Sequence, residues 1–279
     1  MMGDTDLATR GLSVQQSDLF DNLTSKRTIA WVDGVNSVVM AHMALMDDPN
    51  IILAHCDLGE SVHEDSHRFI NDVEQWLGKE IVRLRSTQYA TIDEVFEKRR
   101  YLSGINGAPC TGEMKIVPRL NFQLPSDTHL WGYTADKLDA KRFDRMLVEH
   151  PNLRQRSPLI EIGLKKKGTH AILAQHGIKR PWVYEIGMPN GNCPGCVKSS
   201  SPFYWALIRK WFPVVFWRRD AQCRKFGAKI VIIGREKGED GKVRNIRCYP
   251  SDIPADHSTV VRSADFGGCG FHCPTELAA

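Results

Sequence analysis

Short apolar runs alternate with amphipathic segments along the first half of this chain, and this alternation constrains the fold more than any other feature. The runs have the length and residue types of buried strands, at positions 26–32, 51–56, 80–84 and 129–133. The segments between them have apolar residues at helical spacing, at 37–45, 64–77 and 91–99. Strands that alternate with helices predict an α/β fold with a doubly wound parallel sheet. Because ligands of such sheets bind beyond the carboxyl ends of the strands, the loops after Val32, Cys56 and Tyr133 are expected to border the site.

The second half has a different pattern. Residues 159–174 predict helix and loop with a solvated run at Lys165, Lys166 and Lys167, and residues 201–226 predict basic, aromatic-rich helices. Residues 244–258 contain scattered polar residues and prolines and are predicted to be loop. We therefore expect a lead-in over 1–24, a ligand-binding domain over 25–200, and a basic helical region with a cysteine-bearing tail over 201–279.

Composition excludes several classes of protein. No apolar run approaches the length of a membrane span, and the polar first sixteen residues do not have the pattern of a secretory signal. We expect a cytoplasmic protein with no membrane partner. A net charge of +4 is too small to imply a nucleic-acid partner by itself.

The cysteines are grouped in a way that indicates metal or redox chemistry. Cys193 and Cys196 form a Cys-x-x-Cys pair, Cys110 lies upstream, and Cys269 and Cys273 lie near the C-terminus. Two intervening residues let both sulfurs of a pair face one centre, as zinc and iron–sulfur sites require. A disulfide framework is typical of small secreted domains instead. A zinc tetrathiolate from the two pairs uses two suitable spacings.

Cys269 is the best candidate for a nucleophile. Glycines at 267, 268 and 270 surround it, so the tail has the freedom to reach a site, and His272 is close enough to assist thiolate formation. The alternative is that Cys269 and Cys273 are structural ligands or form a disulfide within the tail.

A turn between the first strand and the first helix has the layout of a phosphate loop. It reads Val-Asp-Gly-Val-Asn-Ser over 32–37, and a strand, a tight turn and a helix place backbone N–H groups around an anion. The candidate contacts are Gly34, Val35, Asn36 and Ser37.

A series of short motifs carries a resemblance to a known family. Gly34 and Ser37 match its Ser-Gly-Gly-x-Asp-Ser loop, and Asp57-Leu58-Gly59 matches its Asp-Thr-Gly. Further matches, in chain order, are Cys110 to Pro118 (family Cys-Cys-x-x-x-Lys-Val-x-Pro), Gly132-Tyr133-Thr134 (Gly-x-Arg), 157–161, 187–196 and 268–272 (Glu-Cys-Gly-Ile-His). The chain resembles the phosphoadenylyl-sulfate (PAPS) and adenylyl-sulfate reductase family of the adenine nucleotide alpha-hydrolase superfamily.

This resemblance implies an adenine nucleotide, namely ATP, PAPS or adenylyl sulfate, as the small-molecule partner. It adds Asp57, Gly59, Lys115 and Gly132 to the nucleotide-binding candidates. It also implies positive charge from Lys115 and Arg119 near the nucleotide or a cluster.

The resemblance further implies that Cys110, Cys193 and Cys196 are three ligands of a [4Fe–4S] cluster, with Thr111 in place of the fourth. Either Cys273 or Cys269 completes the set, or one iron stays open, as in cluster-dependent sulfur transferases of the superfamily. Zinc is the alternative metal.

Several positions depart from the family pattern. Val32, Asp33 and Asn36 replace a Ser, a Gly and an Asp of the phosphate loop, and Thr134 stands where the reductases have an Arg. An Asp at the cradle repels phosphate unless a cation intervenes, and its Cβ crowds the approach that glycine permits. These changes weaken the expectation of PAPS as the substrate.

The basic aromatic region allows two interpretations. Aromatic and cationic residues interleave over 204–225, a pattern that can stack bases and neutralise phosphates. More often such aromatics face the core and the cations form the solvated side of the helices, so a nucleic-acid partner is not favoured.

The leading functional hypothesis is sulfonucleotide reduction. The resemblance implies that Cys269 attacks the sulfonyl sulfur and that a thioredoxin-type thiol donor releases sulfite. The first alternative is an ATP-dependent iron–sulfur sulfurtransferase that thiolates a nucleobase. The second is an inactive nucleotide-binding module.

Overall fold

A five-stranded parallel sheet with the strand order β3-β2-β1-β4-β5 forms the centre of the protein. A computed structural model describes residues 27–104 and 107–260. The strands are β1 (Thr28–Trp31), β2 (Ile52–Cys56), β3 (Ile81–Leu84), β4 (Thr128–Leu130) and β5 (Arg154–Arg156). The chain therefore runs from β1 outward to β3 and returns to the other side of β1 as β4. This reversal creates a topological switch point between β1 and β4, where ligands of such sheets bind.

Helices cover both faces of this sheet, which confirms the doubly wound α/β prediction. The helices of the sheet region are α1 (Val35–Asp47), α2 (Glu64–Leu77), α3 (Ile92–Arg99), α4 (Pro109–Thr111), α5 (Val117–Phe122), α6 (Lys137–Glu149), α7 (Pro158–Glu161) and α8 (Lys166–Gln175). A π-helical turn, Gly112–Ile116, joins α4 to α5. Side chains of β1 alternate between the faces: Ala30 packs with α1 and α2, and Ile29 and Trp31 pack with α6.

Local sequence explains where helix α2, which has a marked apolar face, begins and ends. His63 caps α2 by accepting a hydrogen bond from the Asp65 N–H at 3.1 Å, and Glu64 and Asp65 place negative charge in the first turn. Gly78 ends the helix in the left-handed conformation, with φ of 61°. The observed bounds, Glu64–Leu77, are those predicted from the apolar spacing.

The region after residue 200 begins with two helices, as predicted, but then forms a hairpin. The helices are α9 (Pro202–Trp211) and α10 (Pro213–Lys225), and they are followed by β6 (Val231–Lys237) and β7 (Val243–Cys248) in an antiparallel pair. The loop prediction over 244–258 is therefore wrong for β7. Most positions of both hairpin strands are exposed, so their sequence lacks the alternation of apolar and polar residues that predicts a strand.

A second core joins the C-terminal helices to the sheet region. It contains Phe96 of α3, both cysteines of the Cys-x-x-Cys pair, and Trp205 and Phe216 of α9 and α10. The division at residue 200 stays a prediction. Among the described residues, no helix is long and apolar enough to cross a membrane.

Candidate nucleotide and cysteine site

The loop after β1 has the expected strand–turn–helix layout, and two of its N–H groups already bind the Ser37 hydroxyl. Ser37 Oγ accepts hydrogen bonds from the N–H groups of Asp33 (2.8 Å) and Gly34 (3.1 Å) and donates to the Gly34 carbonyl (2.9 Å). The serine hydroxyl thus holds the turn closed in the place where phosphate loops hold an anion. An incoming phosphate would have to displace this hydroxyl.

Gly132 lies against the same loop from the neighbouring strand β4. A Cβ on Gly132 would stand 2.4 Å from Ser37 Cα and 2.6 Å from Ser37 N, which is far inside van der Waals contact with backbone. Only glycine permits this approach. The two loops at the switch point, which carry the nucleotide-binding candidates Gly132 and Ser37, are therefore in contact.

We expect Gly132→Ala to lower the free energy of unfolding by about 2 kcal/mol, because overpacking against backbone forces the two loops apart. Chemical denaturation measures this. Gly34→Ala is the matched control: its nearest neighbour would be Tyr184 Oη at 3.7 Å and its φ is −138°, so we expect a loss of less than about 1 kcal/mol. Equal midpoints for the two variants would contradict the close approach.

Asp33, the residue that departs most from the family loop, is paired with a lysine. Lys115 Nζ lies 2.6 Å from Asp33 Oδ2, and Lys115 is buried while the Asp33 side chain is half exposed. Burial alone would raise the pKa of Asp33, but Lys115 and His55 outweigh it and hold the pKa below its ordinary value. The carboxylate is therefore ionised at neutral pH and neutralises the lysine that the resemblance assigned to the nucleotide.

Asp57 and Gly59 form the start of the next loop, at the carboxyl end of β2. Asp57 Oδ1 accepts a hydrogen bond from the Gly59 N–H at 2.8 Å, and Oδ2 accepts from Arg85 at 2.6 Å. Burial would raise the pKa of Asp57, but the Gly59 N–H and Arg85 lower it overall. β1 and β2 are adjacent, so both carboxylates lie at the same edge of the sheet.

Cys110, Cys193 and Cys196 line one cavity, together with Lys115. The cavity has a volume of about 20 Å³, and its other lining residues are Leu58, Ile92, Phe96, Thr111, Val197 and Lys198. Residues separated by more than eighty positions in sequence are thus brought together, as the ligand hypothesis requires. Lys115 belongs to both sites, because its ammonium group also binds Asp33 of the β1 loop.

Tyr204 holds the loop that carries the Cys-x-x-Cys pair through two hydrogen bonds to its backbone. The Cys196 N–H donates to Tyr204 Oη at 2.6 Å, and that hydroxyl donates to the Cys193 carbonyl at 3.3 Å. Gly195, with φ of 70°, supplies the left-handed residue that this turn requires. Full burial raises the pKa of Tyr204, so the phenol stays protonated and can donate this bond.

The three thiols around the cavity are spaced too widely for one metal ion, and the cavity is too small for a cluster unless its lining moves. In the described part of the chain, no three His, Cys, Asp or Glu side chains are close enough together to hold one ion. A cluster has several irons, and each thiolate binds a different one. The two lysines lining the cavity would stabilise thiolates. A volume of 20 Å³ suits about one water, so the thiols and lysines would have to move outward to admit a cluster.

Three predicted site residues, Cys269, His272 and Cys273, lie outside the described residues. The zinc alternative depends on two of them, Cys269 and Cys273. Their roles stay predictions.

Sequence reasoning missed the contacts that α8 and the 182–184 turn make with the β1 loop and with the segment before Cys193. Thr169 Oγ1 lies 2.7 Å from Asn36 Oδ1, and Tyr184 faces Gly34. Lys166 binds Asn190 Oδ1 at 2.7 Å and the Pro189 carbonyl, on the segment that leads to Cys193. The prediction of a solvated lysine run is therefore wrong for Lys166, whose pKa burial lowers. No signal in the sequence separates it from Lys165 and Lys167.

The expectation that Arg119 supplies charge to the cysteine site needs correction, whereas the lack of charge at Thr134 is as expected from the sequence. Arg119 packs over the Trp131 ring at 5.7 Å, in the core on the other face of the sheet, and does not line the cysteine cavity. Thr134, in the position of the family Arg, is fully buried, with its hydroxyl 3.0 Å from Asp136 and 2.8 Å from Asp139. This position therefore supplies no charge to the site.

Comparison with known proteins gives little beyond this geometry. No protein-family description matches the chain, and no curated protein shows significant similarity. Among solved structures, the chain is similar to a phosphoadenylyl-sulfate (PAPS) reductase from Candida auris, in a phosphate complex. The TM-score is 0.46 with 11% sequence identity, over 68% of this chain and 98% of that one.

Proposed function

We propose that the protein is an enzyme of sulfur chemistry that binds an adenine nucleotide at the β1 loop, next to a cysteine site formed by Cys110, Cys193 and Cys196. The observation that carries this proposal is Lys115, which contacts the β1 loop through Asp33 and lines the cysteine cavity. A group held at the phosphate end of a nucleotide would lie beside the thiols. The three cysteines would hold an iron–sulfur cluster, which would supply redox-active iron and an iron without a thiolate at which sulfur could bind.

For the reaction, we propose sulfonucleotide reduction with Cys269 as the nucleophile. The thiolate attacks the sulfonyl sulfur, an S–S bond forms, and the bond from sulfur to the phosphate oxygen breaks, so the nucleotide phosphate leaves. A dithiol donor of the thioredoxin type then attacks Cys269 Sγ, releases sulfite and is left as a disulfide after a second thiol exchange. The two electrons come from that donor.

The described end of the chain packs against the helix that holds the cysteine loop. His257 packs against Phe203 at 4.7 Å, one residue from Tyr204, which holds the cysteine loop. Val260, the last described residue, precedes Cys269 by nine positions. Nine residues can span about 30 Å.

Intact mass spectrometry after incubation with PAPS or adenylyl sulfate tests the reductase. We expect a sulfonate-sized adduct on the wild type and none on Cys269→Ser, with unchanged metal content. Cys248→Ser, which changes a buried cysteine outside the cavity, should retain the adduct.

One observation favours a second candidate, the ATP-dependent sulfurtransferase. Thr111, in place of the family's fourth cysteine, is buried and lines the same cavity as the three thiols. A cluster bound there would have one iron without a thiolate at this position. Absence of any sulfonate adduct, together with thiolated bases in RNA or DNA incubated with ATP and a sulfide source, would favour this candidate over the reductase.

A further inference from the structure

Four aromatic rings meet on the surface where the chain turns from α9 into α10. Trp182 stacks on His63 at 4.9 Å and packs edge-on against Trp211 at 5.6 Å and Phe212 at 6.1 Å. We call these four side chains the aromatic corner. Trp211 remains 43% exposed although it packs against the Trp182 ring. The corner therefore offers open ring faces on a pre-ordered support.

Hydrogen bonds hold this support in place. The backbone N–H of Trp182 donates to Asp65 Oδ2 at 2.6 Å. Arg68 forms an ion pair with Asp65 and donates a hydrogen bond to the Lys179 carbonyl at 3.1 Å. The rings thus come from the start of α2, the 182–184 turn and the end of α9, and these hydrogen bonds fix the position of the 182–184 turn on α2. Pre-ordered aromatic side chains lose little entropy when they bind.

An open cavity of about 620 Å³ lies beside the corner, and its lining combines rings with charges of both signs. His63, Trp182, Arg68 and Lys179 line it together with Glu64 and Asp65. Asp65 is neutralised by Arg68 at 2.6 Å, whereas Glu64 is exposed. On the rim of the corner, Lys210 lies over the Trp211 ring at 5.4 Å. The volume suits a nucleotide, a carboxylate can accept hydrogen bonds from a base amino group, and the lysines suit phosphates.

We propose that the aromatic corner and this cavity bind single-stranded nucleic acid, with a base stacked on Trp211 or Trp182 and phosphates beside Lys179 and Lys210. Aromatic faces interleaved with cations bind single strands because every base has a face to stack and every phosphate carries a charge. A protein partner fits this surface less well, because lysines such as Lys179 and Lys210 are depleted in protein–protein interfaces. The surface is separate from the β1 loop and the cysteine cavity, so this proposal is independent of the proposed function.

The test is fluorescence anisotropy with labelled single-stranded RNA and DNA oligonucleotides at two or more salt concentrations. We expect binding that weakens as salt increases, and Trp211→Ala should weaken it about 10-fold because a stacked base loses its support. Lys179→Gln should lower the slope of log affinity against log salt concentration by about one, which corresponds to the loss of one phosphate contact. The affinities for RNA and for DNA show which of the two is preferred.

Trp217→Ala is the matched control, because Trp217 is 56% exposed on α10 but is not one of the four rings. We expect it to weaken binding about twofold or less. Both tryptophan variants should keep the wild-type melting temperature and adenine-nucleotide affinity. Equal loss in the two variants, or no binding of either nucleic acid, would overturn the proposal. A dimer in light scattering that Trp211→Ala dissociates would assign the corner to a second copy of the chain instead.

Discussion

Replacing Cys196 with alanine should remove nearly all iron and acid-labile sulfide from protein purified without oxygen. Cys196 lines the cavity with Cys110 and Cys193, and a cluster that loses one of its thiolates loses most of its affinity for the protein. Cys110→Ala should have the same effect, although Cys110 is far from the pair in sequence. Both variants should also melt at a lower temperature, because metal binding is linked to folding.

Cys223→Ala is the matched control for this experiment. Cys223 is fully buried in the same core, but it does not line the cavity, and burial raises its pKa to about 12, as expected for an inert thiol. It should retain full iron content. Full iron in Cys110→Ala would exclude Cys110 from the ligands, and zinc in its place would favour the two cysteine pairs.

Asp33→Asn should tighten adenine-nucleotide binding about 10-fold or more. The substitution removes the ion pair between Lys115 and Asp33, so the ammonium group can bind a nucleotide phosphate. A charge-assisted contact of this kind contributes about 1.5–3 kcal/mol. Because about 1.4 kcal/mol corresponds to a tenfold change in Kd, we expect a tenfold gain or more. Without nucleotide, the variant should be less stable than the wild type, since the buried lysine loses its ion pair with Asp33. Nucleotide should restore that stability, because it binds the folded state.

Calorimetry of ATP, PAPS and adenylyl sulfate measures the binding. Asp240→Asn breaks an ion pair of similar length, 2.7 Å to Arg244, on the β6–β7 hairpin and should leave affinity unchanged. Weaker binding by Asp33→Asn would mean that the Asp33–Lys115 pair organises the site instead of blocking it. No binding by any form would refute the nucleotide proposal.

The sheet region could be predicted from sequence because its signals are local. Buried strands and amphipathic helices leave regular apolar spacing, and α2 was predicted to the residue. Strand β5 was missed, since Arg154, Gln155 and Arg156 carry no apolar pattern. It lies at the edge of the sheet and pairs through its backbone with β4.

Residues of the candidate site could be predicted only where a short sequence motif identifies them by residue type and spacing. Gly132 and the three cysteines follow from motifs; the structure places Gly132 against Ser37 and the three cysteines around one cavity, and their roles stay predictions. The pairing of Asp33 with Lys115, and of Asn36 with Thr169, joins residues 82 and 133 positions apart. Such contacts depend on how helices pack on the sheet, and local patterns in one sequence do not reveal that packing. The same holds for Lys166, which only the position of its helix separates from its solvated neighbours.

The central claim is that the nucleotide loop and the cysteine site adjoin through Lys115. Electron paramagnetic resonance of the reduced, anaerobically purified protein tests it most directly, with and without a saturating adenine nucleotide. We predict an iron–sulfur signal whose g values or line shape change when nucleotide is added, and a smaller change in Lys115→Met. An unchanged signal under conditions where calorimetry shows bound nucleotide would contradict the claim, as would protein that contains zinc and no iron.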